Sequence, residues 1–314
     1  MYPQLYYTVS SKELRAGIPA TAVLLSAASF YRANSRGQSI LRVPRYALAV
    51  PLKGADCGAF TATLKWGGSY RFTPIQYIRW LSHWKPHWAA TFDLCCLSTS
   101  RGDPGDTIVA ERQAWTSYMA WHFWELYRDV PWCWCPSVQG YSLDQFEQHA
   151  RELLPLIRQM HDYYRDDGWW DEEQLDTQYG NTFRVGIGSL CGRPLTFILE
   201  VITCIQSIIG IDIPLHLWEI KLRELQVGAS LDGVVSCDTG AWNGLFGREH
   251  EKRRASGLSV TEYSWQVSYP SYAKKVAHTQ HLPIQLTLFE EVRNEAHVQM
   301  SIPFHSPNLF IEGA

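Results

Sequence analysis

Three features that would narrow the class of this protein at once are missing from its sequence: a long apolar run, a strong charge of one sign and a regular cysteine pattern. No stretch approaches the roughly 20 apolar residues a bilayer span needs. The longest candidate, Phe197 to Ile213, is broken by Glu200, Gln206 and Gly210. No amino-terminal stretch joins a basic start, an apolar core and a small-residue cleavage site, so neither a membrane nor secretion is expected. A formal charge of −3 and a pI near 6.4 give no global attraction for polyanions, and a nucleic-acid partner would need a local basic patch. The eight cysteines are scattered, with neighbours only at Cys95-Cys96 and Cys133-Trp134-Cys135. That spacing is not a disulfide framework, and a reducing cytoplasm is the expected location. No cysteine follows Cys237, and there is neither an internal repeat nor a low-complexity tract.

What is present is ample apolar material, 46% of 314 residues, enough for one large packed domain. The fourteen tryptophans offer stacking surfaces for a sugar or a base, although most aromatic side chains in a chain of this length fill the core. Short apolar runs ending in polar or glycine-bearing turns alternate with helical patterns, the order of parallel strands joined by crossover helices. The expected strands are Thr21 to Ala27, Tyr46 to Ala55, Trp88 to Phe92, Pro131 to Val138, Phe183 to Ile187, Pro214 to Ile220 and Gly233 to Cys237. The expected helices are Pro74 to Trp84, Thr107 to Arg128, Ser142 to Asp166, Pro194 to Ile209 and a short Leu222 to Ala229. Ser142 with Gln145 three residues on has capping-box form, and Leu143, Phe146, Ala150, Leu153, Leu154 and Ile157 form its apolar stripe. Seven such steps predict an α/β fold, a (β/α)8 TIM-type barrel over residues 1–247 whose remaining strand is not visible; a doubly wound open sheet is the alternative. Residues 248–314, charged and then irregular, read as a carboxy-terminal extension packed on the barrel.

Active sites of parallel β/α folds collect at the carboxyl ends of the strands. Asp56, Asp93, Gln139, the turn Gly186-Ile187-Gly188-Ser189 and Asp238 all fall there, on five separate strands. One such Asp is more often a helix cap than a catalyst, whereas five polar positions in register mark a site. Asp56 and Asp238 each follow an apolar run at a small-residue turn, and two carboxylates are the minimum equipment for double displacement at a sugar carbon.

The same residues carry a family resemblance. Asp56-Cys57-Gly58-Ala59-Phe60, Phe92-Asp93-Leu94-Cys95, Val138-Gln139-Gly140, Val185-Gly186-Ile187-Gly188-Ser189-Leu190-Cys191 and Ser236-Cys237-Asp238 resemble, in order and approximate spacing over residues 45 to 245, the motifs of the tRNA-guanine transglycosylase superfamily. Val138 to Asp144, Leu215-His216-Leu217-Trp218 and Ser236 to Trp242 look like the DpdA-type branch, which acts on guanine in DNA. The resemblance implies exchange of guanine for a 7-deazaguanine such as preQ0 through a covalent glycosyl-enzyme. It assigns Asp238 as nucleophile, Asp56 as general acid and base, and Asp93, Gln139, Gly140, Gly188 and Ser189 to the base, with Asp93 meeting its N1–H and exocyclic amine and both Gln139 and the Gly188 amide its O6 edge. Partners so implied are DNA, or tRNA in the alternative, and the free base; helper proteins and a homodimer stay open. No cofactor is expected. The tRNA enzymes carry a Cys-X-Cys-X2-Cys plus His zinc site after the nucleophile; this chain has no cysteine there, so no metal and no zinc-binding subdomain are expected.

Taking a base out of a duplex requires phosphate contacts, for which Arg248, Lys252, Arg253 and Arg254, and later Lys274 and Lys275, are the candidates. The plainer reading is a solvated helix face paired with Glu249 and Glu251. His216 reads as a hydrogen-bonded structural histidine, Cys57 and Cys237 as packing thiols with no base in sequence to activate them, and Cys95 as a shaper of the base pocket. Two other functions remain open: a catalytically silent base-binding homologue, and a glycoside hydrolase on a similar barrel.

Overall fold

The computed structural model describes residues 4–9, 22–33, 39–43, 51–98, 103–166, 183–220, 232–239 and 247–280. Its centre is a nine-stranded parallel ladder of β1 (Gln4–Val9), β2 (Ala22–Ser26), β5 (Leu52–Asp56), β6 (Trp88–Ala90), β7 (Cys133–Cys135), β8 (Ser137–Val138), β9 (Val185–Ile187), β10 (Leu215–Leu217) and β11 (Val234–Thr239). A separate antiparallel pair, β3 (Tyr31–Ala33) and β4 (Ser39–Leu41), follows β2. The ladder runs β7-β6-β5-β2-β1-β11-β10-β9-β8. Its two ends are separated by Pro136 alone, so the sheet all but closes on itself. Proline has no N–H to give a ladder, and the break falls on that residue. Its carbonyl is still used, accepting from Gly186 N at 2.8 Å, while Cys135 O accepts from Thr91 N at 3.1 Å. With β7 and β8 taken as one strand interrupted at Pro136, the arrangement is a mixed α/β, TIM-like barrel of eight strands.

The strand absent from the sequence reading is β1. It precedes every strand–helix step, and its Tyr-Tyr-Thr core mixes apolar body with hydroxyl tips, so neither alternation nor a run marks it. The register makes it indispensable: Tyr6 pairs with Asp238 and Thr8 with Leu24, joining β11 to β2. Most of the other strands are shorter than expected, Trp88 to Phe92 contributing Trp88–Ala90, whereas β11 runs two residues past Cys237 to Thr239. Residues 46–50 of the expected Tyr46 to Ala55 strand and the whole helix Leu222 to Ala229 lie outside the described residues.

The helices follow their patterns closely. Helix α3 (Pro74–Trp84) begins at Thr73, whose side chain and Gln76 form a capping box, with Pro74 where its missing N–H costs nothing. Next come α4 (Asp106–Tyr127), α5 (Leu143–Asp166) and α6 (Leu195–Ile209). Phe146, Ala150, Leu153, Leu156 and Ile157 of α5 are fully buried. Two short helices, α1 (Ala27–Phe30) and α2 (Ala59–Lys65), follow β2 and β5. Beyond the barrel, α7 (Gly247–Ser256), α8 (Val260–Tyr263) and α9 (Tyr269–Gln280) are described, and Tyr269 of α9 meets Tyr7 of β1 edge to face at 4.9 Å. Residues 281–314 of the expected extension lie outside the described residues. Among the described residues no helix is long and apolar enough to cross a membrane.

Candidate active site

The carboxyl ends of the strands surround one pocket of about 540 Å³, counted to its open mouth. Thr8, Asp56, Asp93, Gln139, Gly188, Ser189, Glu219 and Asp238 line it, with Phe60 and Trp218 among its apolar walls. Asp56 and Asp238 therefore face the same space from strands nearly opposite in the ring. Among the described residues that line it, four are acids and none is Lys, Arg or His.

Each carboxylate is placed by its own local structure. Asp56 ends β5 beside its register partner Ser26, whose side chain bonds it, and its Oδ1 accepts from Gly58 N at 2.8 Å. That turn needs glycine, since Gly58 has φ +92° and a Cβ there would lie 2.4 Å from Ala28 Cβ. Burial raises the Asp56 pKa to about 7, and the charges of Asp93 and Asp238 add to the effect, against the two hydrogen bonds.

Asp93 is 3% exposed and fully engaged. Cys57 Sγ donates to its Oδ1 at 3.0 Å, and the Gln139 side-chain amide donates to its Oδ2. Burial lifts its pKa to about 6, with the Cys57, Gln139 and Ser137 bonds opposing. The segment bearing it is clamped by Tyr70, which donates to Asp93 O at 2.9 Å and stacks on Phe92 at 4.0 Å with rings 1° apart. Ser189 completes the network, donating to Gln139 Oε1 at 2.5 Å while accepting from Cys96 N at 2.7 Å.

Asp238 sits among donors. Thr8 Oγ1 donates to its Oδ2 at 3.0 Å, and the Glu219 backbone N–H donates to its Oδ1 at 2.9 Å. His216 Nε2 lies 3.4 Å from the same Oδ1. Both of its oxygens thus accept a hydrogen bond, and an imidazole nitrogen faces one of them.

Two base-contact expectations need correction. The Gly188 N–H is already committed to the barrel ladder, donating to Val138 O at 3.0 Å, so it is not available to a base. Gly188 matters by its missing side chain: a Cβ would come within 2.2 Å of Gln139 Nε2. Gly140 does not reach the pocket lining; it packs against Phe146, whose backbone N would be 2.8 Å from an added Cβ. The basic candidates stand apart from the pocket lining. Lys252 and Arg254 are exposed on α7, Arg253 is half-buried there, Lys274 and Lys275 are exposed on α9, and the Arg248 side chain lies outside the described residues. Among the described residues no group of three or more His, Cys, Asp or Glu is arranged to hold a metal ion.

Sequence reasoning missed three contributors. Thr8 was hidden with its strand, and Ser26 ends a strand that was seen but whose terminal residue was not weighed. Glu219 follows Trp218 at the end of β10, where the strand-end rule would have flagged it. Its φ is +54°, a left-handed conformation that costs a residue with a Cβ roughly 1–2 kcal/mol. Ser189, also in the lining, has φ +59°. Burial and the neighbouring Asp238 and Asp56 charges raise the Glu219 pKa to about 7. Strain of this sort concentrates at functional sites.

No known protein-family model matches this chain, and no curated protein matches it either.

Proposed function

We propose that this protein is a transglycosylase that exchanges guanine in DNA for a 7-deazaguanine base such as preQ0, through a covalent glycosyl-enzyme on Asp238. The observation that carries the reading is the convergence of Asp56 and Asp238 on one pocket in opposite electrostatic settings, one carboxyl pushed up to about 7 and the other surrounded by donors. The motif resemblance supplies the substrate class.

In this reading an extruded guanine enters the pocket, because C1′ is out of reach within a stacked duplex. Asp238 Oδ attacks C1′ as the C1′–N9 bond breaks, and the departing base takes the proton held by Asp56. The deazaguanine then enters, its N9–H proton passes to the Asp56 carboxylate, and N9 displaces Asp238 from C1′. Proton and electron pairs balance over the cycle, and Asp56 returns to its starting form. A carboxyl with a pKa near 7 suits both halves of that task at neutral pH. Asp93 accepts from the N1–H and exocyclic amine of the base on the lone pairs left by Cys57 and Gln139. Gln139, held by Asp93 and Ser189, keeps one amide hydrogen for O6 and meets that edge without the Gly188 amide.

The test is incorporation of labelled 7-deazaguanine, compared between duplex DNA and unmodified tRNA. Label in DNA supports the proposal, label in tRNA alone selects the RNA enzyme, and label in neither refutes both. The glycoside-hydrolase alternative predicts sugar release from an oligosaccharide without base exchange.

A further inference from the structure

Beneath the pocket, inside the barrel, lies a buried polar chain that the proposed chemistry has not used. Arg184, just before β9, is fully buried and is the one buried Lys or Arg among the described residues. Its guanidinium rests 4.8 Å from the Trp88 ring, and its Nη1 donates to Ser236 Oγ at 2.9 Å. Ser236 Oγ is in turn 2.9 Å from His216 Nδ1, and His216 Nε2 is 3.4 Å from Asp238 Oδ1. The chain thus runs from a buried cation to the candidate nucleophile through two side chains that are both fully buried.

Donor and acceptor capacities orient it. Guanidinium has hydrogens only to give, so Ser236 Oγ accepts from Arg184 and keeps its own hydrogen for His216 Nδ1. An imidazole that accepts at Nδ1 carries its proton on Nε2, the nitrogen facing Asp238. The opposite tautomer would set a lone pair against a carboxylate and leave the Ser236 hydrogen without an acceptor. We propose that Arg184, Ser236 and His216 form a positioning relay that fixes His216 as the neutral Nε2–H tautomer and holds Asp238 as the anion, with Arg184 as its internal counter-charge.

The surroundings favour that division of labour. His216 is enclosed by Tyr6 of β1 at 6.2 Å, Trp88 of β6 at 4.7 Å and Trp218 at 4.3 Å, ring to ring. Burial, with the Arg184 charge, lowers its pKa against the pull of Asp238, which keeps it neutral. The groups facing Asp238 are Thr8 from β1, Glu219 at the end of β10 and Asp56 from β5. Asp56 and Glu219 are further acids on the same pocket. Arg184 is the cation that offsets them from below. In the free site His216 Nε2 falls short of a hydrogen bond, and contacts of this type shorten when a ligand excludes water.

Nitrogen NMR of the 15N-histidine-labelled full chain tests the tautomer without any activity, with His216→Gln identifying the resonance. The expected His216 signals are a protonated Nε2 and an unprotonated, hydrogen-bonded Nδ1, unchanged from about pH 6 to about pH 8. Ser236→Ala should mix the tautomers. A proton on Nδ1, a His216 that becomes imidazolium in that range, or a Ser236→Ala spectrum identical to wild type overturns the relay. The kinetic half rests on Asp238 being the nucleophile: Ser236→Ala should lower kcat about tenfold and move the acid limb of the pH profile upward, leaving KM for the free base unchanged. Arg184→Lys, which keeps the charge, should preserve the limb that Arg184→Met shifts. If wild type exchanges no base, the transglycosylase reading fails while the tautomer result still decides the relay. If wild type exchanges and Ser236→Ala has the same profile, the relay fails alone.

Discussion

The two walls of the pocket use the same functional group in opposite ways. On the β5–β6 wall, Asp56 and Asp93 sit against Phe92, Tyr70 and a buried thiol, and burial lifts their pKa values to about 7 and about 6. On the β10–β11 wall, Asp238 is met by a hydroxyl, a backbone N–H and an imidazole edge, with an arginine behind them. One wall holds carboxyl groups whose pKa values burial raises toward neutrality; the other surrounds its carboxylate with hydrogen-bond donors. Such a separation of environments is how a single residue type divides into acid and nucleophile. It also shows why a motif naming both as Asp says little about which does what.

Replacement of either acid tests the contrast hardest. Asp238→Asn keeps the shape and removes the proposed nucleophile, and exchange measured by label uptake should fall roughly 10⁴-fold or more. Asp56→Asn should cost ~10²–10⁴-fold in the same assay, and should flatten the limb of the rate profile near pH 7. It should also change stability with a definite sign. A carboxyl raised to about 7 holds a proton in the native state that the unfolded chain has lost above about pH 4. Native stability therefore falls as pH rises through that window and levels off above it. Thermal unfolding should show a shallower fall for Asp56→Asn and a Tm above wild type at pH 8; a slope equal to wild type would remove Asp56 from the proton-holding wall.

Smaller effects sharpen the boundary between the walls. Gly188→Ala drives a Cβ to 2.2 Å from Gln139 Nε2, and the amide cannot swing away without leaving Asp93 and Ser189. Base affinity by calorimetry should weaken ~10–100-fold, with a stability cost of ~1–3 kcal/mol. Glu219→Gly is expected to act the other way. It releases the φ +54° strain, worth roughly 1–2 kcal/mol. The added freedom of the unfolded chain returns ~0.5–1 kcal/mol. The net is a Tm ~1–3 °C higher, while the exchange rate drops. A lower Tm would mean that the Glu219 side chain supports the fold rather than the ligand.

The sequence carried the scaffold further than the site. Alternation of strands and helices is dictated by burial on both faces of a parallel sheet, and the start of α5 is read directly from Ser142 and Gln145, which exchange the capping-box contacts. Asp56, Asp93, Gln139, Ser189 and Asp238 were legible because a strand end in this fold projects into one space. Thr8 and β1 were not, since Tyr6-Tyr7-Thr8 shows neither an apolar run nor a clean alternation. The spent Gly188 N–H was also beyond the sequence, because a backbone amide belongs to the ladder or to the ligand according to register, which only the pairing of β8 with β9 decides. Glu219 was within reach: it ends a strand like the others, yet its left-handed turn is set by the hydrogen bond to Asp238, a contact 19 residues away.

The most direct trial is to capture the intermediate. Wild-type protein incubated with duplex DNA alone, then denatured, should yield a protein–DNA adduct that proteolysis and mass spectrometry locate at Asp238, absent in Asp238→Asn and discharged when 7-deazaguanine is added before denaturation. Label entering DNA with no such adduct, or an adduct on another residue, would contradict the assignment of the two walls.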